Sequence, residues 1–165
     1  MPTRVLITGV TGPVGSFLAD YLLTLPDVEV HAFKRWRSDT RPIAQLYGQV
    51  TFHEGDIEDP FAVAAAVRAA APDRIYHLAA QSYPSASWQA PVTTLRTNVE
   101  GTINLLEAVR AHAPAARVHI AGSSAEYGWV TPDEVPIPET RALRPASPYG
   151  VSKAHPRAAG PAVPR

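Results

Sequence analysis

The sequence predicts an α/β protein on a doubly wound parallel sheet, from three observations. Its first strand candidate is an apolar run without polar alternation, helical patterns alternate with this and further strand candidates, and a glycine-rich turn joins the first strand to the first helix. Val5, Leu6 and Ile7 form an unbroken apolar run, the pattern of a strand covered on both faces. Gly9, Gly12 and Gly15 follow it. Gly9 permits a sharp turn, Gly12 lets the backbone approach a pyrophosphate, and Gly15 lets the next helix pack on the strand, with that helix's first N–H groups facing the anion. The pattern implies a dinucleotide cradle, and the absence of a Gly-Lys-Ser/Thr ending argues against a nucleoside triphosphatase.

The remaining elements follow in order. Positions 14–25 carry Val14, Phe17, Leu18, Tyr21, Leu22 and Leu25 at helical spacing before Pro26, and these apolar residues are expected to face the sheet. A second strand is expected over 28–33. Its end is where NAD-binding folds place an acid for the ribose hydroxyls, but the chain continues Lys34-Arg-Trp-Arg-Ser-Asp39. Guanidinium groups there suit the 2′-phosphate of NADP, with Arg35 and Arg37 as candidates, unless the segment is simply a solvated basic loop. A third strand over 49–57 ends at Asp56, and an alanine-rich helix over 60–71 opens on Pro60. A fourth strand spans 73–80, a polar loop 81–90, the longest helix 92–112 and a fifth strand 117–121. The long helix places Leu95, Val99, Ile103, Leu106 and Val109 on one stripe and Asn98 near its middle. Alternating strands and helices imply right-handed crossovers and a ligand at the carboxyl ends of the strands, where Gly9, Arg35, Asp56, Ala79 and Ser123 fall.

Bulk composition narrows the function classes. A chain of 165 residues with 45% hydrophobic and 18% charged residues suits one globular domain. Fifteen basic residues balance fifteen acidic ones, so no net field favours nucleic acid or an anionic membrane. Without cysteine there is no disulfide or thiolate chemistry. The first strand begins within four residues of Met1, and no apolar run approaches the ~18 residues of a membrane span, so a cytoplasmic protein is expected. Six histidines lack the spacing of a metal site, and none is expected.

A second motif carries chemistry. Ser147-Pro-Tyr-Gly-Val-Ser-Lys153 opens a helix with Ser147 as cap and Pro148 as first residue, placing Tyr149 and Lys153 on one face. A phenol is a poor acid or base near neutrality, but an adjacent ammonium favours its phenolate, so Tyr149 could exchange a proton with a carbinol or carbonyl beside a nicotinamide. Ser123 or Ser124, just past the fifth strand, could hydrogen-bond the same oxygen.

Together these stretches resemble the extended short-chain dehydrogenase/reductase family, in its branch of nucleotide-sugar epimerases, dehydratases and 4-ketosugar reductases. The matching pieces are Thr8-Gly-Val-Thr-Gly-Pro-Val-Gly15, Gly55-Asp-Ile57, His77-Leu-Ala-Ala80, Asn98-Val-Glu-Gly-Thr102, Ser123-Ser-Ala-Glu-Tyr-Gly128 and Tyr149-Gly-Val-Ser-Lys153. Lys34-Arg-Trp-Arg-Ser38 and Ser147-Pro-Tyr-Gly resemble the enzymes of GDP-sugar metabolism, the GDP-mannose 4,6-dehydratases and the GDP-4-keto-6-deoxy-D-mannose reductases. The resemblance implies a Rossmann-type domain with Ser123, Tyr149 and Lys153 catalytic. It implies NADP rather than NAD, held by Gly9, Gly12, Val14, Gly15, Arg35, Arg37, Ser38, Asp56, Ile57, Leu78, Ala79, Ala80, Asn98, Tyr149 and Lys153. It also implies a nucleotide-sugar substrate, GDP-linked, and a homo-oligomer. The dehydratases' Glu falls on Ala125, which cannot take the C5 proton of a sugar, and Glu126 on an extended strand end should point to the opposite face, unless the loop shifts by one residue. The expected activity is therefore reduction of a GDP-4-keto-6-deoxy sugar, with dehydratase or epimerase as the alternative.

The family pattern fades after Lys153. Pro156 is expected to stop the helix after about two turns, leaving 1–153 as the cofactor-binding domain and 154–165 as a disordered tail outside the family pattern. Family members add further strands and a sugar-binding domain, so the sequence is expected to be a truncated or frameshifted form. An inactive cofactor-binding fragment is the competing expectation.

Overall fold

A computed structural model describes residues 1–158, and the remainder of the expected tail, 159–165, lies outside the described residues. The chain divides into two compact units. The first comprises 1–79 and 101–121 and contains the sheet. Strands β1 (Thr3–Thr8), β2 (Val28–Lys34), β3 (Thr51–Glu54), β4 (Arg74–His77) and β5 (Arg117–Ile120) lie in the order β3-β2-β1-β4-β5. All pairs are parallel; β1 is central, with Val5 beside Val30 and Leu6 beside both His31 and Ile75.

Alternation along β1 explains why its apolar run is unbroken. Leu6 joins Phe33, Ile57, Ile75, Val63, Val67, Leu105 and Val109 in a core on one face, where helices α2 (Pro60–Ala70) and α5 (Gly101–His112) pack. Val5 and Ile7 join Val10, Ala19, Leu22, Val30, Ile43 and Leu46 on the other, under α1 (Pro13–Leu23). Ile43 and Leu46 belong to a 3-10 segment, Arg41–Leu46, and are fully buried. Asp59 caps α2 by accepting from the N–H groups of Phe61 and Ala62, and Pro60 takes its first position as expected.

Two expected helix faces are corrected. In α1 the residues turned inward are Gly15, Ser16, Ala19 and Leu22, while Val14, Phe17 and Tyr21 are 67%, 74% and 60% exposed. The cause is Gly15: a Cβ there would lie 2.5 Å from the carbonyl oxygen of Gly9. That approach fixes the helix's rotation, so the smallest side chains, not the largest, face the turn. In α5 the inward face is Gly101, Thr102, Leu105, Ala108 and Val109, and Ile103 is exposed. Gly101 seats against the Ile57 side chain, again setting the rotation.

The second unit comprises 80–100 and the described residues from Gly122 onward. The loop expected over 81–90 contains helix α3 (Pro84–Gln89), whose length and lack of apolar period hid it. Pro84 opens α3, and the Ser87 hydroxyl donates back to the Pro84 carbonyl at 2.6 Å. Helix α4 (Pro91–Leu95) runs into a π-helical turn, Arg96–Glu100, so the long helix expected over 92–112 is not one regular element. Between residues 129 and 141 a loop is organised on one carboxylate. Glu134 accepts from the N–H and hydroxyl of Thr131 at 2.8 and 2.9 Å and pairs with Arg141 at 2.6 Å, and Arg141 also donates to the Trp129 carbonyl at 3.2 Å. The Arg141 guanidinium, helped by Thr131, pulls the Glu134 carboxyl down to about 2.

Helix α6 (Pro148–Ala158) corrects another expectation: it continues through Pro156 instead of ending near it. The face carrying Tyr149, Gly150, Ser152 and Ala154 is buried against α3, α4 and the π-helical turn. Tertiary packing of that face supports a helix that its local sequence would not sustain. Residues 154–158 are thus helical, where a disordered tail was expected.

The corrected face of α1 is directly testable. Phe17→Gln should change unfolding free energy by no more than about 0.5 kcal/mol, whereas Leu22→Ala should cost about 2–5 kcal/mol. Urea denaturation of both variants checks this; the reverse order would restore the face expected from periodicity.

Candidate active site

In the first unit the glycine turn is clamped by backbone. The Gly9 N–H donates to the Phe33 carbonyl at 3.3 Å, and Gly9 has φ of +76°, a conformation that glycine adopts without strain. A Cβ on Gly9 would lie 2.7 Å from the Ala79 nitrogen, so the turn rests directly on Leu78 and Ala79. Leu78 and Ala79 are held in turn: their N–H groups donate to the Thr8 carbonyl at 3.1 Å and to Thr8 Oγ1 at 3.2 Å.

Gly12 differs from its two neighbours. A Cβ there would meet only the Gly9 oxygen at 3.4 Å, and Gly12 caps α1 with no side chain satisfying the helix's first N–H groups. A helix start left uncapped behind an open glycine suits an anion, so the residues present fit the pyrophosphate of a dinucleotide. Val14 stands in that first turn and is exposed.

At the end of β2, a turn closes with the Ser38 N–H donating to the Arg35 carbonyl at 3.1 Å. Arg35 and Arg37 are exposed, and Arg37 lies 3.8 Å from Asp56, which brings two residues expected at the adenosine end together. Lys34, buried in β2, pairs with Glu54. Asp56 accepts from the Glu58 N–H at 3.2 Å, and the carbonyl of buried Ile57 accepts from Asn104 at 3.1 Å.

The second unit holds Ala80, Asn98 and all three expected catalytic residues. Ser123 caps a 3-10 turn, Ser124–Tyr127, its Oγ accepting from the Ala125 N–H at 3.2 Å, while Ser124 is exposed. Tyr149 and Lys153 lie four apart in α6, and the expected cap is present: Ser147 Oγ accepts from the Gly150 N–H at 3.0 Å. Tyr149 is buried and Lys153 half-buried, and burial pushes the Lys153 ammonium below its usual range.

Three features here were missed by sequence. A Cβ on Gly150 would lie 2.6 Å from the Ala125 carbonyl oxygen, so α6 touches the turn carrying Ser123 through bare backbone. The glycine beside Tyr149 was the available signal. Asn98, expected near the cofactor, has structural ties that the sequence did not show: it accepts from the Gln81 N–H at 2.7 Å, donates to the Gln81 carbonyl at 3.1 Å, and donates to Ser152 Oγ at 2.8 Å. Its place in a π-helical turn accords with the frequency of such turns at functional sites. Glu126 was assigned to the opposite face on the premise of an extended strand. The segment is a 3-10 turn capped by Ser123, whose carbonyl accepts from the Glu126 N–H at 3.2 Å, so the strand alternation behind that assignment does not run through Glu126. Glu126 is buried, with Oε2 4.0 Å from where a Cβ on Gly122 would stand.

A parallel sheet in this order, a glycine turn at the end of its central strand and a Tyr/Lys helix beside a capping Ser define the class of short-chain dehydrogenases/reductases. The sequence model of the family described as GDP-mannose 4,6 dehydratase matches residues 6–159, continuing past Lys153, and the chain belongs to that family. It is 35% identical over 164 residues to a GDP-mannose 4,6-dehydratase of Vibrio cholerae, covering 93% of this chain and 43% of that protein. A GDP-mannose 4,6 dehydratase of Arabidopsis thaliana is 35% identical over 162 residues, with 90% and 44% covered. The chain thus spans less than half the length of these relatives.

Among solved structures, the UDP-glucose 4-epimerase of Thermus thermophilus in complex with NAD matches with TM-score 0.84 and 31% identity, over 98% of this chain and 52% of that one. The Brucella ovis UDP-glucose 4-epimerase, also in complex with NAD, matches with TM-score 0.83 and 29% identity, over 94% and 46%. Among the described residues, no helix is long and apolar enough to cross a membrane.

Two outcomes are expected from this geometry. Gly150→Ala should lower turnover of the whole gene product by about 10–100-fold, because the Ala125 carbonyl cannot yield to the new methyl and Tyr149 moves with α6; steady-state kinetics beside cofactor titration would show kcat falling with cofactor affinity held. For Lys153, a folded-state pKa below 10.5 means the unfolded chain binds more protons between the two values, so stability from this group rises with pH across that window. Lys153→Met should therefore raise the thermal midpoint at pH 7 by more than at pH 10.

Proposed function

We propose that this chain carries the cofactor-binding and proton-transfer residues of an NADP-dependent oxidoreductase that reduces a GDP-4-keto-6-deoxy sugar. The supporting observation is Ala125. Removing water across C5 and C6 needs a group to take the C5 proton, and alanine stands where the dehydratases' Glu is expected; reducing a 4-keto group needs no such base.

The chain's own residues divide the work. When bound, the nicotinamide supplies the hydride. Tyr149 gives its phenolic proton to the carbonyl oxygen as it gains negative charge, and Ser123 Oγ donates a hydrogen bond to that oxygen while still accepting from Ala125. The Lys153 ammonium, one helical turn from Tyr149, stabilises the phenolate left behind. Gly9, Gly12 and Gly15 with Val14 receive the pyrophosphate, Arg35, Arg37 and Ser38 the 2′-phosphate, and Asp56 and Ile57 the adenine. Leu78, Ala79 and Ala80 line the cofactor's path, Tyr149 and Lys153 also hold the nicotinamide ribose, and Asn98 fixes the Gln81 backbone beside it.

A second reading, GDP-mannose 4,6-dehydratase, is favoured by one observation: Glu126 stands in the 3-10 turn that Ser123 caps, next to Ala125, where it would supply the missing base. The names of the curated relatives agree with it.

Incubating the whole gene product with a GDP-4-keto-6-deoxy sugar and NADPH should consume NADPH, and with GDP-mannose and NADP should give no keto sugar. Dehydration of GDP-mannose, lost in Glu126→Gln, would reverse the choice. Tyr149→Phe should lower the rate by about 100-fold or more while leaving NADPH binding intact. Arg35→Ala with Arg37→Ala should weaken NADPH more than NADH, and equal losses would remove the loop from phosphate recognition.

A further inference from the structure

A chain of buried polar groups runs beneath the glycine turn from β1 to α5. The Ala79 N–H donates to Thr8 Oγ1 at 3.2 Å, Thr8 Oγ1 lies 2.7 Å from His77 Nδ1, and His77 Nε2 lies 3.0 Å from Thr102 Oγ1. Thr8, His77 and Thr102 are 1%, 3% and 3% exposed, so these groups have exchanged water for one another. A backbone N–H can only donate, so Thr8 Oγ1 accepts at that end, and its own buried O–H needs an acceptor, which gives the chain a direction. Thr8 accepts from Ala79 and has its own O–H to give, with His77 Nδ1 as the acceptor in reach. The ring proton then sits on Nε2 and is donated to Thr102.

One end of this chain touches the cofactor cradle, and the other adjoins the loop after β3. Ala79 is the residue on which Gly9 rests, with 2.7 Å between its nitrogen and a Cβ built on Gly9. Thr102 follows Gly101, which abuts the Ile57 side chain in the loop after β3. We infer that His77, as its neutral Nε2–H tautomer, is a positioning residue for dinucleotide binding. It ties the first turn of α5 through Thr8 to the Gly9 turn, and so sets the backbone that grips the pyrophosphate. The inference rests on Gly9, Gly12 and Gly15 being a dinucleotide cradle. It accounts for a hydroxyl residue on the core-facing side of α5, where an apolar one would pack without needing a partner.

The test pairs a spectroscopic signature with a binding measurement on the chain labelled with 15N-histidine. Long-range proton–nitrogen spectra of the wild type should show His77 protonated on Nε2 alone. Thr102→Val should weaken NADPH, followed by fluorescence titration, by about tenfold and shift the His77 ring nitrogens toward a mixture of tautomers. Thr102→Ser should restore both, and Thr8→Val should reproduce the binding loss. An Nδ1–H or doubly protonated His77 in the wild type, or Thr102→Val binding NADPH as tightly as wild type, would overturn the inference. A wild-type chain that binds neither NADPH nor NADH would overturn the cradle reading and the inference with it.

Discussion

Everything in the first unit follows from how closely α1 must lie on the turn after β1. With only 2.5 Å between the Gly9 oxygen and the place a Cβ would occupy on Gly15, the helix is seated by backbone alone, and its rotation is no longer free to follow its apolar residues. Ala19 and Leu22 are turned inward as a result, and Phe17 and Tyr21 are left outside. The same seating presents the uncapped start of α1 at the turn's outer side, where Gly12 leaves room. Exposed aromatic surface is thus a cost of seating the helix so closely.

The second unit repeats this logic with different residues. Gly128 has φ of +70° and lies so close to the Arg144 carbonyl that no side chain could stand there, while the Arg144 N–H donates to the Glu126 carbonyl at 3.0 Å. Gly150 then meets the Ala125 carbonyl. The segment leading into α6 is therefore held to the turn carrying Ser123 by main-chain contacts, and Tyr149 gains a position that does not depend on the repacking of large side chains. Asn98 adds a polar tie from the π-helical turn to Ser152, on the α6 turn between Tyr149 and Lys153.

What was legible in the sequence was whatever has a local cause. The unbroken run Val5–Leu6–Ile7 announced a strand covered on both faces, the glycines announced the turn, and Ser147-Pro148 announced the start of α6, all of which the structure contains. The fold class and the family followed from the order of these pieces. What was not legible depends on contacts between distant residues. Periodicity assigned Phe17, Tyr21 and Ile103 to the core because it weighs size and spacing, whereas glycines at 15 and 101 select the buried face by forbidding anything larger elsewhere. The expectation for Glu126 rested on a strand period, whereas the residue stands in a 3-10 turn. Helix α6 outlasted Pro156 because a buried face holds it, a support that no local rule contains. His77 was visible as a letter in a motif, but its role needed Thr8 and Thr102, which lie 69 and 25 residues away.

The loop between residues 129 and 141 shows how such a scaffold can diversify. Its course hangs on the Glu134 carboxylate, gripped by Thr131 and Arg141, while Trp129 and Val135 at its tips are 89% and 62% exposed. The knot uses the Thr131, Glu134 and Arg141 side chains and only the main-chain carbonyl of Trp129, so the outward side chains of Trp129 and Val135 can be exchanged without removing any of its bonds. Evolvability here is concentrated in a few solvent-facing letters strung on an ionic clasp.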